Sequence, residues 1–193
     1  MNSSLYLVTG HAGTAARRIG LWLLMGVIAM LFFLFGAAYV MRMGLPDWRP
    51  LPFVPWQLWL STALLALASA AWQRAWRAAD GGKTAVSWRA YGMACLCSLA
   101  FLASQLWAWQ AMIAANFALD GNPANSFFYL ITGLHGLHVI GGLVVATWAA
   151  GRVATIQLCA RYWHFLLGLW LVMFALLFWL TPELVQQICG GAP

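Results

Sequence analysis

The sequence predicts an all-α protein, a polytopic transmembrane helix bundle of about five spans with its N-terminus cytoplasmic and its C-terminus periplasmic. Composition is the first reason. Hydrophobic residues make up 64% of the 193 and charged residues only 7%, whereas a soluble domain keeps roughly a quarter of its residues charged to face water. The second is length: apolar stretches of about 20 residues, enough to cross the hydrocarbon as a helix, recur five times. The third is charge. The ten Lys and Arg outnumber the four Asp and Glu, and the basic residues sit at the ends of the apolar stretches and not in a run or on a face that would suit nucleic acid.

The spans are expected over residues 19–40, 56–75, 91–115, 126–151 and 162–180, in a single membrane domain covering 1–193. Each must be helical because lipid offers no partner for a backbone N–H or C=O. The stretch after Arg17 and Arg18 exceeds the roughly 7–15 apolar residues of a signal peptide and reads as a span. Gly44-Leu45-Pro46-Asp47, Asp80-Gly81-Gly82-Lys83 and Asp120-Gly121-Asn122-Pro123 supply turns between spans. Arg17, Arg18, Arg74, Arg77, Lys83, Arg89, Arg152 and Arg161 fall on one set of flanks, and Arg42 and Arg49 on the other. Positive flanks stay cytoplasmic, which sets the orientation. Trp48, Trp56, Trp72, Trp76, Trp107, Trp109, Trp148 and Trp163 gather near the boundaries, as expected of indoles at headgroup level.

Little in the spans could carry chemistry. None holds an Asp, Glu or Lys clearly within its apolar core, so the chain alone lacks the groups that mark ion paths and proton relays. Cys95 and Cys97 point to different faces of one helix, and with Cys159 and Cys189 they form no metal-ligand spacing. His135 and His138 are three apart and share a helix face. Gly142 continues that stripe, with Gly133, Gly136 and Gly141 around it, so this face is expected to meet another helix closely. Such a histidine pair could ligate a metal or heme. The favoured expectation is that each imidazole hydrogen-bonds within a packed helix interface. His138 lies roughly 18 Å from the outer boundary, and His164 opens the next span at the inner boundary, so the three do not converge. Gln105 is expected to form an interhelical hydrogen bond. No residue is assigned a catalytic, cofactor-binding or metal-binding role.

The segment Phe128-Tyr129-Leu130-Ile131-Thr132-Gly133-Leu134-His135-Gly136-Leu137-His138-Val139 resembles the signature helix of cytochrome c oxidase subunit III, a heme-copper oxidase subunit. That family reads Tyr/Phe-Phe, Thr-Gly and His-Gly-x-His-Val at this spacing. Tyr162-Trp163-His164-Phe165, followed by Trp170, is similar to its final helix. Asp120-Gly121 ahead of Ser126, and Arg18-x-Gly20-Leu21-Trp22 with Phe32-Phe33, resemble its outer loop and the opening of its first retained helix. The match covers most of the chain in order. It implies a short five-span form that lacks two opening helices of longer members.

The resemblance further implies a subunit without a redox centre of its own, with heme and copper in partner subunits I and II. Such a subunit packs against subunit I, binds phospholipid in a cleft, and sustains proton uptake. It belongs to a hetero-oligomer in a bacterial inner membrane. Where the family usually carries acid, this chain has Ile28, Ala108 and Leu167, so a carboxylate-linked proton antenna is not expected. The alternatives are a subunit III of a quinol oxidase and a subunit-III-like accessory protein of nitric oxide reductase. An independent transporter would need a polar path through the bundle, and an enzyme with its own heme would need His135 or His138 as a ligand.

Overall fold

The computed structural model describes residues 3–49, 51, 54–117, 122–148 and 152–180, with side chains from residue 15 onward. Five helices follow in order: α1 (Ser3–Arg42), α2 (Trp56–Asp80), α3 (Thr84–Ala114), α4 (Pro123–Trp148) and α5 (Val153–Phe178). There is no strand among the described residues. The expected spans 19–40 and 56–75 lie within α1 and α2, and the other three overlap α3, α4 and α5, with residues 149–151 outside the described ones. The helices α1, α3, α4 and α5 begin before their expected spans, α1 at Ser3 and α5 at Val153, because helical hydrogen bonds continue past the stretch that is apolar enough to be read as a span.

Four of the five, over Ala15–Arg42, Thr84–Ala114, Pro123–Trp148 and Val153–Phe178, are long and apolar enough to cross a membrane. The chain is a multi-pass membrane protein. Helix α2 is 25 residues long but falls short in mean hydropathy. Its polar residues account for this. Gln57, Ser61 and Ser69 are buried, whereas Trp56, Trp59 and Leu67 face outward. The low hydropathy thus belongs to the face turned toward α3 and α5, where hydrogen bonds wait.

The turns obey local rules. Gly82 takes φ +71°, a left-handed conformation that costs glycine little. It closes α2 in a Schellman motif in which the Lys83 N–H donates to Ala78 C=O (2.8 Å) and the Gly82 N–H to Ala79 C=O (3.1 Å). Asn116, at φ +65°, does the same for α3: Phe117 N–H donates to Met112 C=O (3.0 Å) and Asn116 N–H to Ile113 C=O (3.0 Å). Asn122 caps α4, accepting from the Ala124 N–H (3.1 Å), with Pro123 in the first helical position. The Asn122 amide also donates to Arg49 C=O (2.7 Å), tying the α1–α2 connection to the head of α4. Asp120 and Gly121 lie outside the described residues, as does Cys189.

One cluster of buried apolar side chains draws on all five helices, with Phe32, Leu65, Trp72, Phe101, Ile131, Trp163, Leu166 and Trp170 at its centre. In lipid that cluster is not held by a hydrophobic drive, since lipid tails are as apolar as the core. Close packing and interhelical hydrogen bonds hold it instead. The Tyr39 hydroxyl donates to Leu177 C=O (3.2 Å) and anchors α1 to α5.

The tryptophans divide into two populations, which corrects the belt expectation. Trp56 and Trp107 form an exposed edge-to-face pair at 4.8 Å, and Trp148 is exposed at the end of α4. Trp72 and Trp163 are instead fully buried, with ring centroids 4.8 Å apart. Both lie well inside α2 and α5, which extend beyond the expected spans, and both rings turn inward, where a large flat side chain fills the space between α2, α3 and α5.

Candidate functional site

The motif residues on α4 and α5 meet each other and α3. Thr132 accepts from the Trp109 indole N–H (3.0 Å) while donating to Phe128 C=O (2.6 Å), so a single hydroxyl joins α3 to α4. Gly133 and Gly136 admit Trp109 and Leu102 of α3. A Cβ at Gly133 would stand 3.2 Å from the Trp109 ring and one at Gly136 3.5 Å from Leu102. Gly142 is the tightest point. A Cβ there would stand 2.8 Å from Tyr162 and 3.0 Å from Trp163, so the α4 backbone lies directly against two α5 rings. Gly141 has nothing within 4 Å and opens onto a cleft. The glycine stripe therefore packs against two helices, with one member left out.

Helix α5 answers with three indole or imidazole anchors. The Trp163 N–H donates to Ser98 Oγ (2.9 Å) on α3, and the Trp170 N–H to Thr62 Oγ1 (2.8 Å) on α2. Tyr162 donates to His138 C=O (3.1 Å) on α4. His164 turns to α2, where Nδ1 meets Ser69 Oγ and Nε2 lies 3.1 Å from Gln73 Oε1. Phe165 is half-buried against the core cluster. Gln105, on α3, donates from Nε2 to Ser61 Oγ (2.9 Å) on α2, the interhelical bond expected of it.

The two α4 histidines share a face, since both rings pack on Phe32, at 6.3 Å for His135 and 5.7 Å for His138. Their surroundings differ. His138 lines the cleft and places Nδ1 2.7 Å from Leu134 C=O one turn back, so its bond stays within α4. His135 is 1% exposed and caged by Phe101 (5.7 Å) and Trp170 (5.2 Å) as well as Phe32. Neither of its ring nitrogens has a hydrogen-bond partner. The expectation that each imidazole hydrogen-bonds within a packed interface is met at His138, through a carbonyl of its own helix, and not at His135, which ring packing holds. His164 faces α2, away from the pair, and no three metal-ligating side chains gather among the described residues.

An unpaired buried imidazole costs about 1–3 kcal/mol. Replacing it by a leucine of similar size removes that cost while keeping the cage filled. His135→Leu should leave stability unchanged or raise it by about 1 kcal/mol, read from reversible unfolding in mixed micelles. A loss of more than that amount would mean that the imidazole nitrogens are satisfied after all.

A cleft of about 430 Å³ opens between α1, α4 and α5. Its wall is apolar, with Leu24, Ile28, Leu137, Gly141 and Tyr162, and Arg17 stands at one end. Ile28 and His138 line this cleft together. Ala108 is fully buried, so two of the three apolar replacements for acid, Ile28 and Ala108, sit where a carboxylate would be shielded from water.

With this geometry in view, relatives can be weighed. A probable cytochrome c oxidase subunit 3 from Nocardia farcinica is 28% identical over 127 residues, 61% of this chain and 63% of that protein. The chain is similar to oxidase subunit III. A cytochrome bo(3) ubiquinol oxidase subunit 3 from Pseudomonas aeruginosa is 27% identical over 175 residues, 82% of each chain. A cytochrome c oxidase subunit 3 from Synechocystis is 26% identical over 185 residues, 88% of this chain and 78% of that one. The chain thus spans less than two thirds of the Nocardia protein's length and about four fifths of the other two. No family model matches it. Oxidase subunit III is also the family to which the α4 and α5 motifs pointed, and those motifs pack α4 and α5 on each other and on α2 and α3.

Proposed function

We propose that this protein is a non-catalytic subunit III of a bacterial heme-copper terminal oxidase, working in aerobic respiration, where electron transfer to oxygen is coupled to proton translocation. The carrying observation is the likeness to oxidase subunits 3 along most of the chain. The tight α4–α5 contact, with Gly142 against Tyr162 and Trp163, supports it. Heme and copper belong to subunits I and II, and this chain supports the stability and proton uptake of subunit I. Relatives are named for both cytochrome c and ubiquinol oxidases, and the supporting role is common to the two. The α1–α4–α5 cleft holds a phospholipid in this reading. Its apolar wall suits an acyl chain, and Arg17 suits a phosphate. A tagged copy of the chain should bring down one heme- and copper-bearing catalytic subunit per copy. Purification as a homo-oligomer without heme would end the proposal.

The location follows as a bacterial inner membrane with the N-terminus inside. Eight basic residues on one set of flanks against two on the other support that orientation. Cys159 is buried and unsuited to labelling, so introduced cysteines are the better probe. In a Cys189→Ser background, Lys83→Cys should react only with reagents that reach the cytoplasm and Asp47→Cys with impermeant reagents from outside. The opposite pattern would invert the topology.

A further inference from the structure

A second concavity, of about 690 Å³, lies at the α2–α3 turn on the far side of α5 from the phospholipid cleft. Arg74 and Arg77 from the last turns of α2, Lys83 from the turn, and Gln73 and His164 line it. No carboxylate is among its lining residues, and Asp80 nearby makes no ion pair with the cations. The side-chain ion pair among the described residues is Arg42–Asp47, at the opposite end of the bundle. Three fixed positive charges thus share one recess with no negative partner. The polar neighbours are ordered. His164 donates from Nε2 to Gln73 Oε1 (3.1 Å) and accepts at Nδ1 from Ser69, which leaves the Gln73 amide N–H groups free to donate. Along the faces that descend from this recess, Leu67 on α2 (58% exposed) and Leu171 on α5 (48% exposed) present apolar surface toward lipid.

A concentrated positive recess at a helix end, above exposed apolar helix faces, is complementary to an anionic lipid: cations for the phosphate oxygens and apolar side chains for the hydrocarbon. We propose that Arg74, Arg77, Lys83 and the Gln73 amide bind the phosphodiester headgroup of an anionic phospholipid, whose acyl chains run past Leu67 and Leu171. This site differs from the α1–α4–α5 cleft in its charge and its position. It rests on the membrane spans and not on the oxidase reading.

The test uses the full chain, alone or in the complex with which it purifies, and counts bound lipid by native mass spectrometry. Dioleoyl phosphatidylglycerol should bind at least tenfold more tightly than dioleoyl phosphatidylcholine. Each cation near a phosphate contributes roughly fivefold. R74Q/R77Q/K83Q should therefore lose at least tenfold in phosphatidylglycerol affinity with phosphatidylcholine unchanged, and R74K/R77K should stay within about threefold of wild type. Should the triple variant fail to fold by circular dichroism, Arg77→Gln alone carries the test with an expected loss of about fivefold. The control R89Q/R152Q/R161Q removes equal charge from the same end of the bundle and should keep the affinity. An equal loss in that control would show diffuse attraction and overturn the site. Equal affinity for the two lipids would overturn it as well, as would competition by glycerol 3-phosphate at concentrations comparable to the lipid's.

Discussion

Trp163→Ala is expected to destabilise the bundle by about 3 kcal/mol, the largest effect of any single truncation considered. The indole is fully buried, stacks on Trp72, donates to Ser98 and lies against the bare backbone of Gly142. Truncating a buried tryptophan in a water-soluble core costs about 3–5 kcal/mol, part of it for transfer from water and part for the cavity left behind. In a membrane the transfer part shrinks, because lipid is as apolar as the core. The cavity part remains, and to it is added the loss of the indole N–H that Ser98 accepts, although its hydroxyl still donates to Ala94 C=O. Trp148→Ala supplies the contrast. That ring is 83% exposed, so its loss should stay within about 0.5 kcal/mol. Reversible unfolding in mixed micelles reads both. Similar losses for the two would mean that the α4–α5–α2 contact is not the core of this protein.

The same tryptophan shows where sequence reading stops. Apolar length located all five helices because the membrane demands it, and Gly-Gly and Asn-Pro marked turns whose left-handed or capping geometry is theirs almost alone. The sequence ranked α2 beside the other spans, although its hydropathy is lower. Only the packed structure shows that Gln57, Ser61 and Ser69 spend their polarity inward. Apolar patterning could not separate the inward Trp72 and Trp163 from the outward Trp56 and Trp148, since it placed Trp163 at the head of its span, whereas α5 begins at Val153. The α4 motif told which residues would meet another helix but not how. His135 was expected to need a hydrogen bond, yet three aromatic rings surround it. The basic recess drew its residues from α2, the α2–α3 turn and α5; along the chain Arg74, Arg77 and Lys83 read as topology signals and His164 as a lone histidine, with nothing to show that they share a recess. The separation of His164 from His135 and His138 is one of direction: the residue count put His164 at a span boundary, whereas it lies within α5 and turns to Ser69 and Gln73 of α2.

An oxidase complex assembled without this chain should keep its heme spectrum nearly intact and yet lose activity several-fold faster during turnover. The reasoning joins composition to packing. The described spans offer no catalytic acid, and the buried polar residues that they do carry are largely spent within the bundle: Gln105 on Ser61, Trp109 on Thr132, Trp170 on Thr62. What the bundle has left to offer is surface. Helix α1 turns Trp22, Leu23, Val27, Met30 and Phe33 outward. The cleft beside it, lined by Ile28 and His138, presents a lipid-compatible wall instead of a proton relay. In the proposed role such a subunit would act on its neighbour by packing and by ordering lipid against it, which would affect how long a strained catalytic cycle survives more than how its metals are ligated. The measurement is oxygen consumption against time for complexes with and without the chain, alongside their reduced-minus-oxidised heme spectra. Equal lifetimes would remove the supporting role, and a lost heme band would mean that the chain builds the redox site itself. Restoring acid by Leu167→Asp should leave the lifetime and proton uptake of the full complex unchanged or lower them. A lone carboxylate would then face the membrane interior without a relay to join, and a clear gain in uptake would show that a path was waiting for it.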